Sequence, residues 1–148
     1  MDALCLFQRY RDDVYRLAVN YTGSPREAEA VSRAVFLSAA EKVPAPGDAQ
    51  DFLMQQTARR CRRLVRLRRW KRLLSPPAPS AELPEDWQAV MRLSPECRAV
   101  MYLRYYEDCT TDEIARLLGI SQGAAAARLT RGRALLEKQR EQHGSASD

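Results

Sequence analysis

Four prolines fall within the ten residues Ser75-Pro-Pro-Ala-Pro-Ser-Ala-Glu-Leu-Pro84, and no helix runs through such a stretch. Each proline lacks the amide donor, and its ring clashes with the preceding turn. Apolar residues recur at helical spacing on both sides. The chain is therefore expected to be all-α, with two small helical domains joined by a semi-rigid, extended linker. The expected boundaries are residues 1–74 for the first domain, 75–84 for the linker, 85–140 for the second domain and 141–148 for a disordered tail. Such a linker predicts two halves that share little core.

In the first half, Phe7, Tyr10, Val14, Leu17 and Tyr21 form one amphipathic stripe, interrupted by Gly23. Ser24-Pro25-Arg26-Glu27 starts the next helix, with Ser as N-cap, Pro at the first helical position and Glu completing a capping box. Ala28, Val31, Val35 and Ala39 turn that helix inward. Lys42–Asp51, with Pro44, Pro46 and Gly47, is expected as a loop. A third helix then begins near Phe52, with Met54, Thr57, Cys61, Leu64 and Val65 on its inner side.

The second half is expected to open with a short helix from Trp87 through Met91. Ser94-Pro95 caps another helix, running to about Tyr105, with Val100, Met101 and Leu103 facing a core. Thr110-Thr111-Asp112-Glu113 is a second capping box, Gly119 suits a left-handed helix end, and Ser121 caps the last helix, to about Arg140. This helix, a tight Gly-Ile-Ser turn and a second helix rich in Arg have the geometry of a helix-turn-helix. Ala125, Leu129, Gly132 and Leu136 form its inward stripe. Gln122, Ala126, Ala127, Thr130, Arg131 and Arg133 are left nearer the outer or flanking surfaces. A plain helical hairpin with a charged exterior is the competing reading.

Charge sharpens the picture. The chain carries a formal net charge of +5. Nine basic residues lie between Arg59 and Arg72 with no acid among them, so the remainder of the chain is net acidic. No carboxylate at i+4 relieves their repulsion. A local polyanion site, phosphate backbone above all, fits better than a generally adhesive surface, although a solvated face is the alternative. Trp70 is open to two readings, stacking on a base or covering apolar surface at the helix end, with the second favoured.

Catalysis and metal binding find little support. The four cysteines are widely spaced, and the one histidine, His143, sits in a polar tail. There is no Gly-rich phosphate loop, and no His lies near a possible nucleophile. No catalytic residue, metal or cofactor is expected. The cysteines suit small apolar roles in a reducing cytosol. A cytoplasmic location is expected, since no signal peptide or membrane span is evident.

These residues resemble the sigma factors of bacterial RNA polymerase, in the extracytoplasmic-function group. Tyr10-Arg-Asp-Asp-Val-Tyr-Arg-Leu-Ala18, Gly23-Ser-Pro-Arg-Glu-Ala-Glu29 and Ala34-Val-Phe-Leu37 are similar to the opening of the family's region 2. Thr57-Ala-Arg-Arg-Cys-Arg-Arg63 is similar to the segment leading into its basic helix. Leu93-Ser-Pro-Glu-Cys-Arg-Ala-Val-Met-Tyr-Leu-Arg-Tyr-Tyr-Glu107, Thr111–Gly123 and Arg128-Leu-Thr-Arg-Gly-Arg133 resemble region 4. The likeness covers roughly residues 5 to 138.

The resemblance implies a division of labour. The first domain would bind core polymerase through Glu27, Ala30, Val31, Arg33, Ala34 and Phe36. It would open the −10 element, with Lys42, Arg59, Arg60, Arg62, Arg63, Arg66 and Arg69 on DNA. Thr111, Ser121, Gln122, Ala126, Ala127, Arg128, Thr130 and Arg131 would read the −35 element. An anti-sigma factor is the implied regulator, alongside promoter DNA and RNA polymerase core as partners. Two departures stand out. Ala30, Ser32-Arg33 and Ala34 replace the usual clamp-facing residues, and Ala124-Ala-Ala-Ala127 replaces a more polar run in the reading helix. Two alternatives stay open: a sigma-fold protein that no longer initiates and serves as a regulator or interaction module, and a free-standing helix-turn-helix regulator.

Overall fold

A computed structural model describes residues 2–42, 44–45, 47–74 and 92–146. The linker expected at 75–84 and the helix expected from Trp87 through Met91 lie outside the described residues. Among those described there are six helices and no strand: α1 (Ala3–Thr22), α2 (Pro25–Glu41), α3 (Ala49–Leu74), α4 (Pro95–Tyr105), α5 (Thr111–Leu118) and α6 (Gln122–Ala146).

The helix boundaries follow local chemistry. Gly23 adopts φ 71°, ending α1 in the left-handed region where a side chain is strained, and its amide returns to the Val19 carbonyl at 2.8 Å. Ser24 caps α2 by accepting from the Glu27 amide at 3.3 Å. The expected capping box does not close there. The Ser24 amide donates to Thr22 Oγ1 at 3.3 Å, and the Glu27 carboxylate turns away to Arg68. At α5 the box does close: Thr110 Oγ1 accepts from the Glu113 amide at 3.2 Å and Glu113 reaches back to the Thr110 amide.

Two ends differ from expectation. α3 starts at Ala49 rather than Phe52, because Ala49 is itself buried and draws the first turn onto the core. α6 continues to Ala146, past the predicted end near Arg140 and into the predicted tail. Glu137, Lys138 and Glu141 are good helix formers, and no proline follows to stop them.

In the first half, α1, α2 and α3 pack on one another. Leu6, Val14 and Leu17 of α1, Val35 of α2, and Leu53, Thr57 and Cys61 of α3 are fully enclosed. Phe7 departs from the predicted stripe and sits on the rim, edge-on to Phe36 with ring centres 5.2 Å apart. Burial pushes the Cys61 thiol up to about 12 and the Cys109 thiol to about 11, which keeps both protonated. In the second half, α4 and α5 pack against α6. Val100, Leu103, Ile114 and Ala125 close that core.

The halves share more than predicted. α1 lies against α4 and α3 against α5, and the buried apolar residues form one continuous cluster. Prolines restrict the connection between two units. They do not prevent apolar faces from docking.

Candidate nucleic-acid interface

The helix-turn-helix is built by its turn. Gly119 has φ 67°, its amide returns to the Ala115 carbonyl, and the Ile120 amide bonds the same oxygen at 3.0 Å. Ser121 then caps α6, its hydroxyl accepting from the Ala124 amide at 3.0 Å. α6 is locked onto the core by Ala125 and Leu129, both buried. Gly132 brings α6 close to α4, because a Cβ there would lie 2.8 Å from the Met101 sulfur.

That anchoring leaves one face outward. Gln122, Ala126, Ala127, Thr130 and Arg131 are exposed, as is Ser121, while Thr111 and Arg128 are half-buried. The Thr130 hydroxyl donates to the Ala126 carbonyl at 3.1 Å. Arg131 is thus an exposed cationic donor on an otherwise alanine-rich surface. Arg133, further round, donates to the Tyr105 hydroxyl and lies over that ring, 5.6 Å from its centre.

The basic helix α3 divides into two groups. Arg59, Arg63 and Arg66 are exposed. Arg62, Arg68 and Arg69 are engaged within the fold. Arg62 donates to the Leu118 carbonyl at the end of α5. Arg68 donates to the Thr22 carbonyl at 2.7 Å and pairs with Glu27. Arg69 bonds both Glu96 oxygens, at 2.8 and 2.9 Å. Arg60 is half-buried, with a buried Nε that has no hydrogen-bond partner. Lys42 is exposed just beyond α2. Trp70 is 70% exposed, so it does not serve as the apolar cover expected of it.

On α2, Ala30 and Arg33 are exposed, and Ala34 and Phe36 are half-buried. Glu27 is held by Arg68. Val31 is 3% exposed and belongs to the core, so it supports this face rather than contributing to it.

Residue-type reasoning missed the junction between the halves. Arg98, 5% exposed on α4, donates from Nε to the Asn20 carbonyl at 2.7 Å and from Nη2 to the Tyr21 carbonyl at 3.0 Å. Its Nη1 reaches the Leu93 carbonyl at 2.9 Å. The available signal was an arginine inside the apolar run Cys97–Leu103. Beside it, Arg16, Met101, Tyr102, Tyr105 and Tyr106 line a cleft of about 710 Å³ between α1, α4 and α6. Tyr102 stacks on Tyr106, with Arg16 over the Tyr106 ring at 5.4 Å. Among the described residues, no group of His, Cys, Asp and Glu is placed to hold a metal ion. No described helix is long and apolar enough to cross a membrane.

Comparison with known proteins agrees with this geometry. Residues 87–136 match the family described as Sigma-70, region 4, a span that contains the helix-turn-helix. The ECF RNA polymerase sigma factor SigE of Mycolicibacterium smegmatis is 28% identical over 159 aligned positions, covering 95% of this chain and 62% of that protein. The chain thus spans somewhat under two thirds of that relative's length. The fold matches the sigma factor RpoE, solved in complex with the anti-sigma factor NepR from Bartonella quintana. The TM-score is 0.70, with 15% identity, over 89% of this chain and 92% of that one. Residues 87–136 are thus similar to the Sigma-70, region 4 family, and 95% of the chain aligns with an ECF RNA polymerase sigma factor.

Proposed function

We infer that the chain acts as a sigma factor, directing RNA polymerase core to promoters and starting transcription by sequence-dependent DNA binding and −10 opening. The observation that carries this reading is the outward face of α6. Its exposed residues Gln122, Ala126, Ala127, Thr130 and Arg131 stand over the buried anchors Ala125 and Leu129, beyond a tight Gly119 turn. A helix so presented fits the major groove, where Arg pairs with guanine O6 and N7 and alanine offers only a methyl contact to thymine.

In this reading residues 1–74 engage core polymerase and the −10 element, and residues 85–140 read the −35 element. The exposed Arg59, Arg63 and Arg66 supply sequence-independent phosphate contacts. The protein performs no chemistry itself and works in the cytoplasm, with promoter DNA, core polymerase and an anti-sigma factor as partners.

A second reading rests on α2. Ala30 and Arg33, exposed there, offer a methyl and a cation where the family usually presents acidic and amide groups. A protein with this face would keep DNA binding and lose polymerase, acting as a regulator. Size-exclusion chromatography of the full chain with core polymerase separates the two. Stoichiometric co-elution supports the sigma reading, and separate elution with retained DNA binding supports the regulator.

A further inference from the structure

We propose that a polar cavity between α3 and α5 is a phosphate-binding site assembled jointly by the two halves of the chain. The cavity measures about 340 Å³, and Gln55, Arg59, Arg62, Arg116 and the turn at Gly119 line it. Arg59 and Arg62 stand one helical turn apart on α3, which places them on one face. Arg116 comes from α5 in the other half. Nothing in the sequence order associates it with the basic block.

The turn makes room for this arrangement. The Arg62 guanidinium donates to the Leu118 carbonyl and lies against Gly119, where a Cβ would sit 3.6 Å from its Nη2. With φ 67° at Gly119, bare backbone is what the turn requires, and the guanidinium covers it. Arg62 is thereby oriented, held by the Leu118 carbonyl and by a side-chain hydrogen bond with Tyr21.

Charge then points to the ligand. Arg116 Nη2 lies 3.1 Å from Asp51 Oδ2, but both side chains are more than half exposed, and such a pair is weak. Three arginines therefore line one cavity, with one screened carboxylate, Asp51, beside Arg116. Docking the halves brings these like charges together, and an anion held among them would relieve the repulsion. Guanidinium forks match phosphate oxygens in planar, two-point geometry, and Gln55 adds an amide donor. The ligand chemistry is a phosphate group, either free as phosphate or pyrophosphate, or carried on a nucleic-acid backbone. Because the site spans both halves, an occupant also favours their docked arrangement. This proposal does not depend on the sigma reading.

The test uses the full chain and inorganic pyrophosphate at constant ionic strength, followed by calorimetric titration and by the thermal unfolding midpoint. Arg59→Gln and Arg116→Gln remove exposed cations without opening the core, and Arg66→Gln is a control outside the cavity on the same helix. The expected result is one saturable site and a raised midpoint, with affinity at least about tenfold weaker in Arg59→Gln and Arg116→Gln, a loss of about 1.4 kcal/mol, and unchanged in Arg66→Gln. A short DNA duplex separates the sources. If it displaces pyrophosphate and Arg116→Gln weakens its binding, the site takes backbone phosphate. If Arg116→Gln loses pyrophosphate and leaves duplex binding intact, the ligand is the free anion. Absence of saturable binding, or equal weakening in all three variants, would overturn the proposal and leave only general charge screening.

Discussion

Arg98 on α4 seals the carboxyl end of α1 by donating its Nη2 proton to the Tyr21 carbonyl at 3.0 Å. The last carbonyls of a helix have no partner within it, and here a guanidinium from the other half of the chain supplies one. Replacing Arg98 with Met keeps the apolar length and strands those carbonyls. We predict a loss of about 1.5–3 kcal/mol in urea unfolding. Arg98→Lys should recover only part of it, since one ammonium does not reproduce the fork that spans Asn20, Tyr21 and Leu93. A fully stable Arg98→Met variant would show that the junction contributes nothing.

The arginines of α3 should not behave alike on DNA. Arg63→Ala and Arg66→Ala remove exposed cations. Each should flatten the salt dependence of duplex binding by about 0.9 for every phosphate that is no longer neutralised, with little effect on folding. Arg69 is held by Glu96, so Glu96→Gln should release it and steepen the same slope. Titrations across a salt series test both. An unchanged slope in the Arg63→Ala, Arg66→Ala double variant would mark this helix face as merely solvated.

Glu107 provides a pH signature. Burial raises its carboxyl above the ordinary range, and the nearby Asp13 charge adds to that. The Tyr102 hydroxyl, 2.7 Å away, works in the opposite direction. The folded chain therefore holds this proton at pH values where the unfolded chain has released it. Its contribution to stability falls as pH rises through that interval. Glu107→Gln stays neutral throughout, so its stability relative to the native sequence should improve between about pH 4 and pH 7. Urea midpoints at the two pH values give the answer. A constant difference would mean that Glu107 ionises equally easily in both states.

Gly132 sets the α4–α6 spacing. Gly132→Leu must displace Met101, whose sulfur lies 2.8 Å from where a Cβ would be. A cost of about 1–3 kcal/mol is expected. Gly132→Ala should cost much less, because alanine's helix propensity offsets the shift of a flexible thioether. Thermal unfolding of the two variants checks the order, and equal stabilities would place α4 and α6 further apart than described.

Much of the fold was legible because its signals are local. Ser94-Pro95, the Thr110–Glu113 box and Gly119 each act within one turn, and each appears where residue type predicts it. The spacing of Ala28, Val31, Val35 and Ala39 likewise marks a single buried face. What escaped was chosen by partners distant in sequence. Glu27 leaves its capping box for Arg68, and three arginines of the basic helix turn to the fold. The outward face of α6 was legible because its opposite face is apolar. The joint cavity at Arg116 was not, since no local pattern links α5 to α3.

The most direct measurement of the central claim is run-off transcription with purified core polymerase, this chain and a randomised promoter library. The account predicts transcripts that depend on the added chain and share one upstream sequence preference. With Arg131→Ala, that preference should relax at one or two positions of the −35 element, at a binding cost of about 1–3 kcal/mol. No transcript above the level of core polymerase alone, with DNA binding intact, would contradict the account and move the regulator reading ahead of it.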